Sequence, residues 1–267
     1  MNTQPYTPEG WNYNTNVLTR DVIYNAIDNK DVLQGIVNSC DENYNLHVSL
    51  GNGIDAIMPR NEIEAINANQ DGCPRESLCT GKVNKFVQFR VKEMNEDGCV
   101  IISRKDVQKD ALKWIKNDLQ VGQKIQGIVK SIKPYGVFIE IGGGVVGLAH
   151  IEDLSVARIK SPSERVRIGQ KIDVLVKSID RNEGKVILTY KELLGTWEEN
   201  VKNFKEKTHV KGIVRETEKN NNGIFIELTP NLVGMAEYVD GLEYGETVDV
   251  YIKKIVPEKK KIKLIVV

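Results

Sequence analysis

The sequence predicts a mainly β fold: three tandem five-stranded barrels joined by short amphipathic helical linkers. Three observations carry this. Strand-like stretches alternate apolar and polar residues, the same strand grammar recurs three times along 267 residues, and between the repeats the apolar spacing changes to every third or fourth position.

Residues 1–30 comprise a polar, Asn-rich N-terminal segment and a short helix. The segment, to about residue 18, is expected to be disordered or only loosely docked. It has no basic stretch followed by an apolar one, so no signal peptide is expected. The helix is expected from about Asp21 to Asp28, with Thr19 placed to cap it.

Barrel 1 is assigned to residues 31–104, barrel 2 to 121–190 and barrel 3 to 208–267. Each opens with a strand centred on glycine: Leu33 to Val37 around Gly35, Ile125 to Val129 around Gly127, Val210 to Val214 around Gly212. An alternating strand follows. Side chains of a strand point to opposite faces in turn, so Val137, Ile139 and Ile141 face one way, with Phe138 and Glu140 on the other and Tyr135 just ahead. The aliphatic trio is the core face. Leu46, Val48 and Leu50 repeat it with His47 outward, and Ile224, Ile226 and Leu228 with Phe225 outward. After a third apolar strand and a loop of variable length, each unit closes with two strands across a turn. Five short strands in about 70 residues, with the long connection before the fourth, fit a closed barrel; a sandwich usually needs more strands.

The connectors 105–120 and 191–207 are expected to be helical, from Val107, Ala111, Trp114, Ile115 and Leu119 in one and Leu194, Trp197, Val201 and Phe204 in the other. Both tryptophans are expected to pack on an adjacent barrel rather than stack on bases.

Charge divides unevenly. Residues 1–104 carry nine basic and fourteen acidic residues, residues 121–190 eleven and seven, and residues 208–267 nine of each. The acidic first third and basic middle third speak of different partners. The four cysteines (Cys40, Cys73, Cys79 and Cys99) form no C-x-x-C pair and are expected to be incidental thiols. No apolar run approaches the roughly 20 residues of a membrane helix, and a cytoplasmic location is expected.

The middle unit reads Tyr135-Gly136-Val137-Phe138, then Gly142-Gly143-Gly144, Gly147-Leu148-Ala149-His150-Ile151 and Lys177-Ser178-Ile179-Asp180. In this order these motifs resemble the S1 RNA-binding domain, and the other two units look like divergent copies. Together they resemble a short, three-repeat bacterial protein of the ribosomal S1 type. The resemblance implies OB-fold barrels that bind single-stranded RNA across one face, with the family's binding positions on Tyr135, Phe138, His150, Asp180 and Lys185. Tyr135 and Phe138 suit base stacking, His150 stacking or hydrogen bonding, and Lys185 a phosphate; Asp180 would orient Lys185 or accept from a base or 2′-hydroxyl. Each also has a structural alternative: Phe138 could pack under a linker helix, and His150 could cap the turn that follows it.

The third unit keeps Phe225 and Lys261, with Asn222, Glu237 and Val256 at the other positions. The first keeps Tyr44, places His47 at the phenylalanine position, and has Pro59, Asn95 and Cys99 elsewhere. Barrel 2 is thus expected to carry most RNA binding and barrel 3 to extend it. Barrel 1, a poor electrostatic host for RNA, is expected to dock on protein such as the small ribosomal subunit. The leading expectation is a monomeric, non-enzymatic binder of messenger RNA acting in translation, without cofactor or metal and without membrane association. The other reading is a regulatory or docking factor in transcription or RNA turnover. No phosphate-cradling G-x-x-x-x-G-K-[ST] motif occurs, and the carboxylates are scattered rather than clustered for two-metal nuclease chemistry.

Overall fold

The computed structural model describes residues 4–12, 18–66, 69, 72–217 and 223–267. Three closed five-stranded barrels follow one another. Barrel 1 comprises β1 (Leu33–Cys40), β2 (Leu46–Gly51), β3 (Ile54–Met58), β4 (Phe86–Met94) and β5 (Val100–Ser103). Barrel 2 comprises β6 (Lys124–Lys133), β7 (Gly136–Gly142), β8 (Val145–His150), β9 (Lys171–Asp180) and β10 (Lys185–Thr189). Barrel 3 comprises β11 (His209–Thr217), β12 (Ile224–Thr229), β13 (Leu232–Ala236), β14 (Thr247–Val256) and β15 (Lys261–Val266). In each, the strands close in the order first, second, third, fifth, fourth, and the third and fifth pair in parallel.

The alternation read from the sequence sets the cores. Val137, Ile139 and Ile141 are fully buried, as are Leu46, Val48, Ile224 and Ile226. The glycine of each first strand is there for space. A Cβ on Gly127 would stand 2.4 Å from Ile139 Cγ2, and one on Gly212 the same distance from Ile226 Cγ2. The first strand crosses over inward side chains of the second, and only hydrogen fits between them.

Helix α1 (Arg20–Asn29) starts at Thr19, whose hydroxyl accepts from the Val22 amide. A short α2 (Glu76–Thr80) precedes β4. Helix α3 (Arg104–Asn117) joins barrels 1 and 2 without a break after β5, capped by the Ser103 hydroxyl accepting from the Asp106 amide. Its buried side carries Val107, Ala111 and Ile115, and Trp114 packs half-buried on the barrel 2 core.

The second linker departs from expectation. It is a 3₁₀ turn (Lys191–Leu194) followed by α4 (Trp197–Val201), not one helix. Gly195, at φ 83° and ψ 154°, breaks the run, and Thr196 restarts it through a reciprocal capping box with Glu199. Trp197 packs half-buried on the barrel 3 core.

The N-terminal segment also departs from expectation. Residues 4–12 form a strap lodged between barrels 1 and 2. Gln4 donates to the Gln126 and Ile141 carbonyls and accepts from the Gln126 amide. Glu9 is buried, bonded to the Gln88 amide of barrel 1, while its own amide donates to Glu140 of barrel 2. Glu140 faces out of its barrel, as the alternation requires, yet is only 1% exposed because the strap and α3 cover it.

The turn Gly142-Gly143-Gly144 is where these elements meet. All three residues have positive φ, and a Cβ on them would stand 2.2 Å from Tyr6 O, 2.7 Å from Ala111 Cβ and 2.0 Å from Arg104 Nη2 respectively. Here glycine serves both the turn and the close approach.

Barrels 2 and 3 are locked by a second buried cluster. Arg215 Nε donates to Glu227, and its Nη1 pairs with Glu164 from the long loop of barrel 2. Arg165 of that loop reaches Glu227 at 2.6 Å, and the Lys160 amide donates to the Tyr244 hydroxyl at 2.8 Å. No helix among the described residues is long and apolar enough to cross a membrane.

Candidate nucleic-acid interface

Strand register assembles the face. In barrel 2, Phe138 of β7 pairs with Leu148 of β8, which pairs in turn with Ile187 of β10. The three outward side chains form a continuous half-buried row across adjacent strands. At one end of the face Gly136 pairs with His150, and Tyr135 precedes it, 51% exposed, its carbonyl accepting from the Ile151 amide. The Tyr135 and Phe138 rings meet edge to face with centroids 6.2 Å apart. Each braces the other and leaves flat surface to solvent.

His150 both faces this surface and caps the next turn, its Nδ1 accepting from the Glu152 amide at 3.4 Å. The cap engages Nδ1 and so fixes the ring's orientation. Lys185 and Asp180 lie at the other end of the face, paired in register across the β9–β10 hairpin. Asp180 does not hold Lys185 directly. Its carboxylate accepts from the Asn182 and Glu183 amides and shapes the turn, while the Lys185 ammonium pairs with Glu183. That hydrogen bond and the charge of Glu183 raise the Lys185 pKa. Thr189, two residues beyond Ile187 on β10, is buried and does not extend the row, its hydroxyl bonded to Asp153 O and Glu192.

The same register recurs with different residues. In barrel 3 the row is Phe225, Met235 and Lys263, the first two 37% and 43% exposed. Lys261 is exposed at the hairpin, and Tyr238 stands exposed just past β13. Asn222 lies outside the described residues. In barrel 1 the row is His47, Ile57 and Ile101, without an aromatic. Tyr44 there has its ring covered by the Arg60 guanidinium at 4.8 Å, and a hydrogen bond to Glu76 raises its hydroxyl pKa. His47 Nε2 lies 3.6 Å from an Asp41 oxygen. Leu148 and Met235 escaped the sequence reading as parts of the face, although alternation in β8 and β13 about Gly147 and Gly234 would have placed them outward.

Residues 118–191 match the family model described as S1 RNA binding domain. The middle barrel belongs to the S1 RNA-binding domain family. Around this S1 barrel the similarity extends further. The chain is 34% identical over 195 residues to small ribosomal subunit protein bS1 of Staphylococcus aureus, covering 67% of this chain and 49% of that protein. It is 30% identical over 234 residues to the protein of that name from Pseudomonas aeruginosa, covering 80% and 39%. The chain thus spans about half or less of the length of these curated relatives. Among solved structures, GSP13 from Bacillus subtilis is 25% identical with a TM-score of 0.29, covering 30% of this chain and 61% of that one.

Beneath the S1 face lies a charged floor. Arg104, 2% exposed, donates through Nε to Glu9 at 2.6 Å and reaches Glu64 with Nη1 at 2.9 Å. Lys130 reaches Glu140 at 2.6 Å, and Lys82 reaches Glu64 at 3.0 Å. Burial raises a carboxyl pKa and a nearby cation lowers it. For Glu140, burial and then the Glu9 charge outweigh Lys130 and push it up to about 7. For Glu9, burial is overcome by Arg104, which holds it at about 2. Among the described residues no group of His, Cys, Asp and Glu is arranged to hold a metal ion.

Proposed function

We propose that this chain is a non-enzymatic binder of single-stranded RNA that acts in translation, holding messenger RNA at the small ribosomal subunit mainly through the S1 barrel. The observation that carries the reading is the row Phe138, Leu148 and Ile187 flanked by Tyr135 and His150: flat, partly exposed aromatic surface on a barrel of an RNA-binding family. Base stacking on such surface contributes roughly 1–3 kcal/mol per base and tolerates any sequence. Barrel 3 extends the track through Phe225, Met235, Lys261 and Lys263. The ribosomal setting rests on the likeness to bS1 proteins, whose name places them in the small subunit.

The test is fluorescence anisotropy with a labelled, unstructured, pyrimidine-rich RNA at several salt concentrations. Phe138→Ala is expected to weaken binding by roughly 1–3 kcal/mol with little change in melting temperature. No binding by the wild type at low salt would overturn the RNA reading. Ribosome cosedimentation tests the translational setting, which fails if all the protein stays free at low salt.

A further inference from the structure

The row Phe138, Leu148 and Ile187 of the S1 barrel's stacking face borders a cleft of about 980 Å³, while Tyr135 and His150 stand outside it. The opposite wall is barrel 1. Phe138, Leu148 and Ile187 line one side; Ser77, Lys82, Lys85 and Phe86 line the other; the paired Glu9, Arg104, Lys130 and Glu140 form the floor. We infer that this cleft is a track for single-stranded RNA in which barrel 1 supplies the phosphate-binding cation, Lys85. The inference rests on the RNA-binding reading of the S1 barrel and adds a second barrel to the site.

The inventory of cations argues for it. Of the lysines that line the cleft on the S1 side, Lys185 is engaged by Glu183 and Lys130 by Glu140. Across the cleft, Lys82 is tied to Glu64, but Lys85 is exposed and makes no ion pair among the described residues. Its backbone is nonetheless fixed. The Lys85 amide donates to Lys82 O at 3.0 Å, the Val37 amide donates to Lys85 O at 3.0 Å, and Asn84 between them takes a left-handed conformation at φ 61°. A rigid base carrying an uncommitted ammonium suits a phosphate site, because little ordering is lost on binding.

The floor sets the polarity of the ligand. Its charges are paired with one another and leave no cation free for a phosphate. The wall offers Phe138 to a base, so a nucleotide lies with base on the S1 wall and phosphate toward Lys85. The volume lies at the upper end of the roughly 300–1,000 Å³ of small-molecule pockets, room for more than one base. The acidic excess of residues 1–104 conceals this local site.

The test measures affinity of the full chain for the same labelled RNA across salt concentrations, comparing wild type, Lys85→Gln, Lys85→Glu, Phe138→Ala and Lys109→Glu. Lys109, exposed on α3 and absent from the cleft lining, controls for net charge. Lys85→Glu is expected to weaken binding about tenfold, and Lys85→Gln to reduce the salt slope by about 0.7, the value of one single-strand phosphate contact. Lys109→Glu should stay within about twofold. Lys85 is exposed, so melting temperatures should match the wild type. If Lys85→Glu behaves as Lys109→Glu does while Phe138→Ala still weakens binding, the two-barrel track is overturned and the RNA reading stands. If the wild type binds no RNA, both fall.

Discussion

At the scale of single residues, what was legible in the sequence followed from parity. Phe138 and Phe225 could be assigned outward because their neighbours on either side are aliphatic, and alternation in a strand admits no other arrangement. Parity says nothing of what lies above an outward residue. Glu140 has the same parity as Phe138, yet one is sealed and the other open, a difference made by the strap more than 120 residues away. That sealing has a pH signature. The Glu140 carboxyl, pushed up to about 7, keeps its proton in the folded protein at pH values where the unfolded chain, near 4.5, has lost it. The folded state therefore holds more protons between about pH 4.5 and 7, and stability falls as pH rises through that window. Glu9 has the opposite sign. Held at about 2, it contributes stability above pH 4.5 that is lost as pH falls toward 2. Glu140→Gln is expected to flatten the decline between pH 4.5 and 7 in urea-denaturation titrations; an unchanged slope would mean that Glu140 is ionised in the folded protein.

At the scale of elements, barrel strands and α3 were readable because their apolar periods, two and about 3.6, extend over enough residues to be unambiguous. Residues 4–12 have no period, so their docking was not readable. What holds them is one buried arginine, backbone edges and a glycine turn. The Gly142–Gly144 turn could be identified as a turn, but not as the seat of α3 and the strap. Gly144→Ala places a methyl against the Arg104 guanidinium at a left-handed backbone position. It is expected to cost at least about 2 kcal/mol in urea denaturation, through backbone strain and displacement of the Arg104 pair. A loss below about 0.5 kcal/mol would show that the helix shifts freely over the turn. The second linker illustrates the opposite error. Its apolar spacing is helical, but one glycine between Leu194 and Thr196 overrides it.

At the scale of the whole molecule, two buried ionic clusters, one around Arg104 and one around Arg215, turn three barrels into one body. Removing one member of a buried cluster leaves a charge uncompensated and is strongly destabilising to the contact. Arg215→Ala is expected to free barrel 3, seen in small-angle scattering as a larger maximum dimension and radius of gyration, with each barrel's fold retained. An unchanged scattering profile would show that Arg165 and the Tyr244 contacts suffice. The uneven division of charge was legible from counting alone, but counting could not reveal that an acidic barrel presents a lysine toward its basic neighbour. The strap carries a consequence for the order of events during synthesis. Its partners at Gln126, Glu140, Ile141 and Lys171 follow it by more than a hundred residues. Residues 4–12 leave the exit tunnel long before their barrel 2 partners exist, with only barrel 1 and Arg104 to receive them at first. The seam therefore closes in two stages. Glu9 meets the Gln88 amide and Arg104 once β4 and the start of α3 are made, and the bonds to Glu140, Ile141 and Lys171 follow only when β7 and β9 have been translated.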